Sequence, residues 1–276
     1  MRFHLLFISM AAIKILVAST GFIFVLFCWY ILSFFASPAS SNPEVTINLK
    51  RDKLTVVEYP SQQSQTKAII LFGSGDGGWN SLERAVARAL QAHGYDVIGI
   101  DSAKYATSDY DLDTLQSDFA SLAQIAEKPF AANPRPLIVG GYSMGAAQAV
   151  AVAGGPHPPP HLVGVLLMDP LSRGRYGLRT EDQMNVLPSG AGTFAVADFA
   201  SKIKNARVVQ WHAANDTIDS RAWLTSLTVP YKELDQPGAG HTYDVGRDAF
   251  LVQLVASADW ILGTPAKSVA AADGKG

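Results

Sequence analysis

Cysteine is nearly absent from the 276 residues: Cys28 stands alone. That excludes an internal disulfide framework and a Cys-rich zinc site. An excess of either charge is also missing. Lys and Arg total 22 against 24 Asp and Glu, a formal net charge of −2, so no basic surplus exists to neutralise nucleic-acid phosphates. Charged residues make up 17% and hydrophobic residues 48%, too apolar for a disordered chain and too polar for a bundle of membrane helices. Internal repeats and metal or cofactor motifs are lacking too, so neither a metal nor a cofactor is expected.

What is present begins with an apolar front. From Leu5 to Ala36 there is no acidic residue and a single basic one, Lys14. Ile15 to Phe35 is long enough to cross a hydrocarbon core as a helix. Arg2 and Lys14 precede it and no Lys or Arg follows until Lys50, so the positive-inside rule keeps the N-terminus cytoplasmic and sends the body across. An uncleaved signal-anchor and a cleaved signal peptide both fit. The run exceeds the roughly 7–15 apolar residues of a cleaved signal, which favours the anchor. The expected organisation is therefore a signal-anchor or signal peptide over 1–36, a Ser/Pro linker over 37–45, one domain over 46–263 and a flexible tail over 264–276. The domain is expected in the periplasm, anchored to the inner membrane through the N-terminal segment. Cys28 lies in that segment, so the exported body carries no thiol to mispair in an oxidising compartment.

The body alternates strand and helix signals. Residues 46–49 and 54–59 read as an antiparallel hairpin. Short apolar runs at 67–72, 95–100, 136–140, 162–168, 207–211 and 229–234 read as buried strands. Helical spacing appears over 81–93, 111–127, 144–153 and 246–262, with a short helix at 221–227. Gly94 is placed to stop the first helix. Residues 171–200 are irregular, as a lid or cap would be. This is the pattern of an α/β fold, a mostly parallel doubly wound sheet with helices on both faces.

Chemistry gathers at the loop ends. Gly141-Tyr142-Ser143-Met144-Gly145 follows a strand and opens a helix, as a nucleophile elbow must: a strained turn exposes the serine, and glycines stand where a Cβ would clash. The Met144 N–H, at the helix N-terminus, suits an oxyanion. A serine hydroxyl needs a base. His241, in the Gly-rich loop before the last helix, fits best. His93 sits at a helix end, His157 and His161 flank three prolines, and His212 ends a strand. The base needs a carboxylate to hold its tautomer. Asp216, just past the strand at 207–211, leads, with Asp219 and Asp169 as rivals. The order Ser143, Asp216, His241 is that of α/β-hydrolases. In that fold the loop Gly73-Ser74-Gly75-Asp76-Gly77-Gly78-Trp79 supplies the second oxyanion N–H, from Gly75 or Asp76. A phosphate-binding loop is disfavoured, because the Gly-Lys-Ser/Thr ending is absent.

Ser74-Gly75-Asp76-Gly77-Gly78-Trp79, Ile98-Gly99-Ile100-Asp101-Ser102 with Tyr105, and the elbow together resemble the AcvB/VirJ family of bacterial virulence proteins, over about Ala68 to His241. The resemblance implies an α/β-hydrolase fold and an exported serine hydrolase acting on lysyl-phosphatidylglycerol, an aminoacylated phospholipid. Asp76, Trp79, Asp101 and Tyr105 are then the expected substrate contacts, the two carboxylates facing the ammonium groups of a lysyl headgroup. Two other readings stay open: a non-catalytic periplasmic protein binding secretion-system partners, and a serine esterase of other substrate.

Overall fold

A computed structural model describes residues 42–50, 52–184, 186–218 and 221–263. The expected membrane segment 1–36, most of the linker 37–45 and the tail 264–276 lie outside the described residues. Among the described residues, no helix is long and apolar enough to cross a membrane.

Eight strands form one sheet. The first two, β1 (Glu44–Asn48) and β2 (Lys53–Tyr59), make the expected hairpin. They are followed by β3 (Ala68–Gly73), β4 (Tyr95–Ile100), β5 (Leu137–Tyr142) and β6 (Leu162–Met168). A separate two-stranded ribbon pairs β7 (Arg173–Arg175) with β8 (Thr193–Ala195), and the main sheet resumes with β9 (Arg207–Ala213) and β10 (Tyr231–Gln236). The order is β1-β2-β4-β3-β5-β6-β9-β10. Every pairing from β4 to β10 is parallel, and only β1 and β2 run antiparallel to their neighbours.

Alternation along the central strands divides the core in two. On one face Ile69, Leu71, Leu137 and Val139 meet Leu115, Phe119 and Leu122 of α3 (Leu112–Glu127), together with α4 (Met144–Gly154) and α5 (Val196–Ala200). On the other, Ile70, Phe72, Ile138 and Trp211 meet Leu82, Val86 and Leu90 of α1 (Ser81–Ala92) and Phe250, Leu254 and Ile261 of α6 (Arg247–Ile261). Strands covered on both faces must be apolar at every position, which is why they read as continuous runs rather than as alternation. A further short α-helix among the described residues is α2 (Ser102–Tyr105), and the short helix expected at 221–227 forms as a 3-10 turn, Ala222–Ser226. Helix α1 is closed by a capping box of Asn80 and Glu83, and Gly94, at φ 96°, turns the chain away from it.

Two differences from the sequence reading have physical causes. The last strand starts at Tyr231 rather than residue 229, since Pro230 has no N–H for the ladder and contributes only its carbonyl, to Val208. Residues 171–200 are more ordered than expected. Charged Arg173 and Arg175 flank Gly174 in β7, and Gly174 pairs with Phe194 of β8, a pattern carrying no strand signal of its own.

Helix α4 starts against the end of β3 with almost no space between them. A Cβ on Gly145 would lie 2.5 Å from the carbonyl carbon of Gly73, so backbone would have to move. Gly145→Ala is expected to lower stability by about 1–3 kcal/mol, measured as a reduced urea midpoint; an unchanged midpoint would contradict this packing.

Candidate active site

Between β5 and α4 the chain turns on Ser143, at φ 50° and ψ −111°. A non-glycine residue held there costs about 1–3 kcal/mol and persists only if its surroundings over-determine it. They do. The Ser143 N–H donates to Met168 O at 2.8 Å, and the Gly145 N–H donates to Ser74 O at 3.0 Å. Gly141 allows the close approach, since a Cβ there would fall 2.5 Å from the Gly145 carbonyl carbon. Ser143 itself is buried.

The loops after β9 and β10 are stitched together. The Asn215 N–H donates to Ala239 O at 2.8 Å and its side-chain amide donates to Gly238 O at 3.1 Å. This brings His241 Nδ1 to 2.5 Å from Asp216 Oδ2. Asp216 Oδ1 accepts the Ile218 N–H at 3.0 Å. Burial alone would raise the Asp216 pKa, yet the bonds from His241 and Ile218 outweigh it and hold the pKa below the usual carboxylate value. For His241, burial opposes the charged form, but the bond to Asp216 and the charges of Asp216, Asp169 and Asp76 win, so its pKa is raised. Tyr142 fixes the imidazole from below: its hydroxyl donates to His241 O at 2.7 Å, and the two ring centroids are 4.9 Å apart.

Asp169, one of the two rivals for the acid position, follows β6 directly with φ 43° and is fully buried. Burial pushes its carboxyl up to about 7, even though Oδ1 accepts the Ala213 N–H at 2.9 Å. Asp169, Asp216 and His241 offer atoms within 4.8 Å of one another, the only such grouping among the described residues. The His241–Asp216 hydrogen bond accounts for that closeness, and no metal is assigned. Asp219, the other rival, lies outside the described residues.

The glycine loop after β3 is shaped from beneath by Glu83. Its Oε1 accepts the Gly75 N–H at 3.4 Å and Oε2 accepts the Asn80 N–H at 3.1 Å. Gly75 was one of two expected oxyanion donors in this loop, and its N–H is spent on Glu83. The N–H groups of Asp76 and Met144 find no acceptor among the described residues. A cavity of about 40 Å³ opens here, lined by Ser143, Met144 and Asp76 and by Leu171, Arg173, Arg175 and Asp182 of the following segment.

Three expected substrate contacts do not line that cavity. Asp101 caps α2 through the Lys104 N–H at 3.0 Å and pairs with Lys104 Nζ at 3.2 Å. Tyr105 is buried, and its hydroxyl donates to Asp118 at 3.0 Å. Trp79 donates to Tyr59 at 3.2 Å and lies flush against Gly99, where a Cβ would be 2.4 Å from its ring. Trp79 thus ties the glycine loop to β2 and β4, Asp101 caps α2, and Tyr105 ties α2 to α3. Of the four, Asp76 alone reaches the cavity.

Residues 67–153 match the family model described as bacterial virulence protein (VirJ). The match covers less than half of the chain. Solved structures similar to it are the esterase domain of a Rhodothermus marinus protein (18% identity, TM-score 0.58, 80% of this chain and 98% of that one) and Est1E from Butyrivibrio proteoclasticus (16%, 0.59, 80% and 99%). XC6422 from Xanthomonas campestris, described as an α/β serine hydrolase without lid, is also similar (16%, 0.55, 83% and 97%). No curated protein matches the chain. At these identities the structures speak for the fold.

The VirJ match takes in the glycine loop and the elbow and stops short of Asp216, His241 and Arg173. Sequence reasoning missed Glu83, Tyr142 and Arg173 as parts of this site. The Asn-x-x-Glu capping pattern at Asn80 was the one available signal.

The charge on His241 is expected to depend on Asp216. In Asp216→Asn the carboxylate bond and charge, the two largest contributions raising its pKa, are gone while burial and the smaller effects of Asp169 and Asp76 remain, so the imidazole pKa should fall. NMR titration of the ring protons measures this; an equal or higher pKa in the variant would refute the assignment.

Proposed function

We propose that this chain is an exported serine hydrolase that cleaves a carboxylic ester, with the aminoacyl ester of lysyl-phosphatidylglycerol as its substrate. One observation carries the hydrolase reading: a His–Asp pair at 2.5 Å, packed on the residue preceding a serine held in a strained turn. Hydrolases and esterases among the similar folds support it.

The bond from Nδ1 to Asp216 leaves Nε2 of His241 as the acceptor in the neutral ring. Ser143 Oγ attacks the ester carbonyl carbon as its proton passes to Nε2. The N–H groups of Asp76 and Met144 stabilise the oxyanion, helped by the N-terminus of α4. Collapse breaks the ester C–O bond, and the glycerol oxygen leaves with the proton from His241. Water, deprotonated by the same nitrogen, then releases the amino acid from Ser143. Asp216 stays ionised throughout and stabilises the imidazolium.

Two features support the substrate. Asp76 places a carboxylate with no ion pair among the described residues on the cavity wall, suited to an ammonium on the acyl side of the ester. The apolar run from Ile15 to Phe35 would hold the domain beside the bilayer containing such a lipid, raising its effective concentration.

Ser143→Ala should abolish fluorophosphonate labelling and reduce release of lysine from lysyl-phosphatidylglycerol vesicles at least about 1,000-fold. Labelling that survives the substitution would end the serine-hydrolase reading, and labelling lost without any lysine release by the native chain would end the substrate. Asp76→Asn keeps the backbone N–H and removes the charge. It should raise KM for the aminoacyl ester about tenfold relative to an uncharged acyl ester, the equivalent of one desolvated charge contact; equal KM ratios would remove Asp76 from recognition.

A further inference from the structure

Four charged side chains line the cavity beside Ser143: Asp76, Arg173, Arg175 and Asp182. Two of them cancel. Arg175 Nε lies 2.8 Å from Asp182 Oδ2, with both side chains about nine-tenths buried. The rest of its guanidinium is spent on Ala191 O at 2.7 Å and Ser189 O at 2.8 Å. Asp182 also accepts the Arg179 N–H at 3.0 Å. This pair ties the segment between β7 and β8 into a strap and has no charge to offer a ligand.

Arg173 is different. Its Nε donates to Pro188 O at 3.0 Å and its Nη2 to Thr193 Oγ1 at 2.8 Å. Both acceptors are neutral, and no carboxylate pairs with it among the described residues. Nη1 is left without an acceptor among them. The guanidinium is thus fixed at two corners, half-buried, uncompensated, and on a strand whose register is set by β8. A planar cation held this way is pre-organised for an oxyanion and loses little freedom on binding one.

We propose that Arg173 is an anion subsite of this cavity, binding a phosphoryl oxyanion of the ligand whose ester faces Ser143. This rests on the ester-hydrolase reading for the identity of that ligand, and it deepens that reading. In an aminoacyl ester of a glycerol phosphodiester the ammonium stands on the acyl side of the scissile carbonyl and the phosphate on the alcohol side. A cavity with one unpaired carboxylate, Asp76, and one unpaired guanidinium, Arg173, matches such a molecule at both ends, and an uncharged ester would leave both charges unpaired. Phosphodiester and free phosphate share the chemistry that Arg173 recognises.

The test is equilibrium binding to the full chain in detergent, by calorimetry, of glycerophosphoglycerol and, separately, of inorganic phosphate. The proteins compared are the native chain, Arg173→Gln and Arg173→Lys, each checked for the native melting transition. At least one anion should bind the native chain, weaken tenfold or more in Arg173→Gln, and recover in part in Arg173→Lys, which keeps the charge without the fork. Preference for the diester assigns the subsite to a lipid headgroup, and preference for phosphate to a free phosphate ester. Binding equal in native chain and Arg173→Gln, or no binding of either anion by the native chain, overturns the proposal. Binding does not require Ser143 to react, so the readout separates this result from failure of the hydrolase reading, which fluorophosphonate labelling reports.

Discussion

The turn at Ser143 is the constraint on which the rest of the site depends. A serine at φ 50° is unfavourable by itself. It is held because β3, β5 and α4 meet at one point with no side chain between them: Gly141 and Gly145 bring the backbones within distances that any Cβ would forbid. One hydrogen bond closes this junction, from Gly145 N–H to Ser74 O. It fixes the glycine loop relative to the elbow, so the two N–H groups left without acceptors, at Asp76 and Met144, are set by the sheet rather than by flexible loops. The fold thus converts local strain into positional precision, and the tight packing of α4, nearly all small residues, is part of the same device.

Solvation and hydrogen bonding decide which carboxylate serves His241. Asp169 and Asp216 both lie within reach of the imidazole, yet their environments push them apart. Asp169 is wholly buried with one backbone donor, and burial dominates, raising its pKa to about 7. Asp216 has the imidazole on one oxygen and the Ile218 N–H on the other, and these stabilise the anion more than burial opposes it. A carboxylate that stays ionised beside the ring can stabilise an imidazolium, and one near half-protonation at neutral pH is the poorer partner. Two like charges this close also raise each other's pKa, so the site favours a single ionised acid.

Much of this was legible in the amino-acid order because the relevant signals are local. Strand-to-helix turns need glycine at set offsets, and buried parallel strands leave apolar runs, so the sheet, its helices and the elbow could be read directly. Gly94 marked a helix end by its conformational freedom alone. What escaped reading was which neighbours from other elements each loop residue meets in space. Gly75 and Asp76 are neighbours in one loop, and only the approach of Glu83 from α1 shows which N–H remains unspent. Trp79, Asp101 and Tyr105 cluster with the motif in sequence, but their polar atoms are taken up by Tyr59, Lys104 and Asp118. Arg173 gave no signal, because a single arginine in an irregular stretch says nothing until its partners are known.

Scaffold and selectivity are carried by different parts of the chain. The VirJ-like portion, residues 67–153, contains the glycine loop and the nucleophile turn, which would serve any ester. The cavity's other wall comes from beyond it, from the strap that β7, β8 and the Arg175–Asp182 pair hold in place. Pairing that arginine with that aspartate makes the strap rigid and electrically silent. In the proposed reading recognition falls to the two charges that have no such partner among the described residues, and a ligand gains most when it neutralises both at once. Shape alone discriminates weakly between esters of similar size, about 1–3 kcal/mol per methylene, whereas a site built to bond polar groups rejects a ligand lacking them more strongly. In the proposed reading, selectivity is therefore set less by the volume of the cavity than by the spacing of its two uncompensated charges about the ester carbonyl.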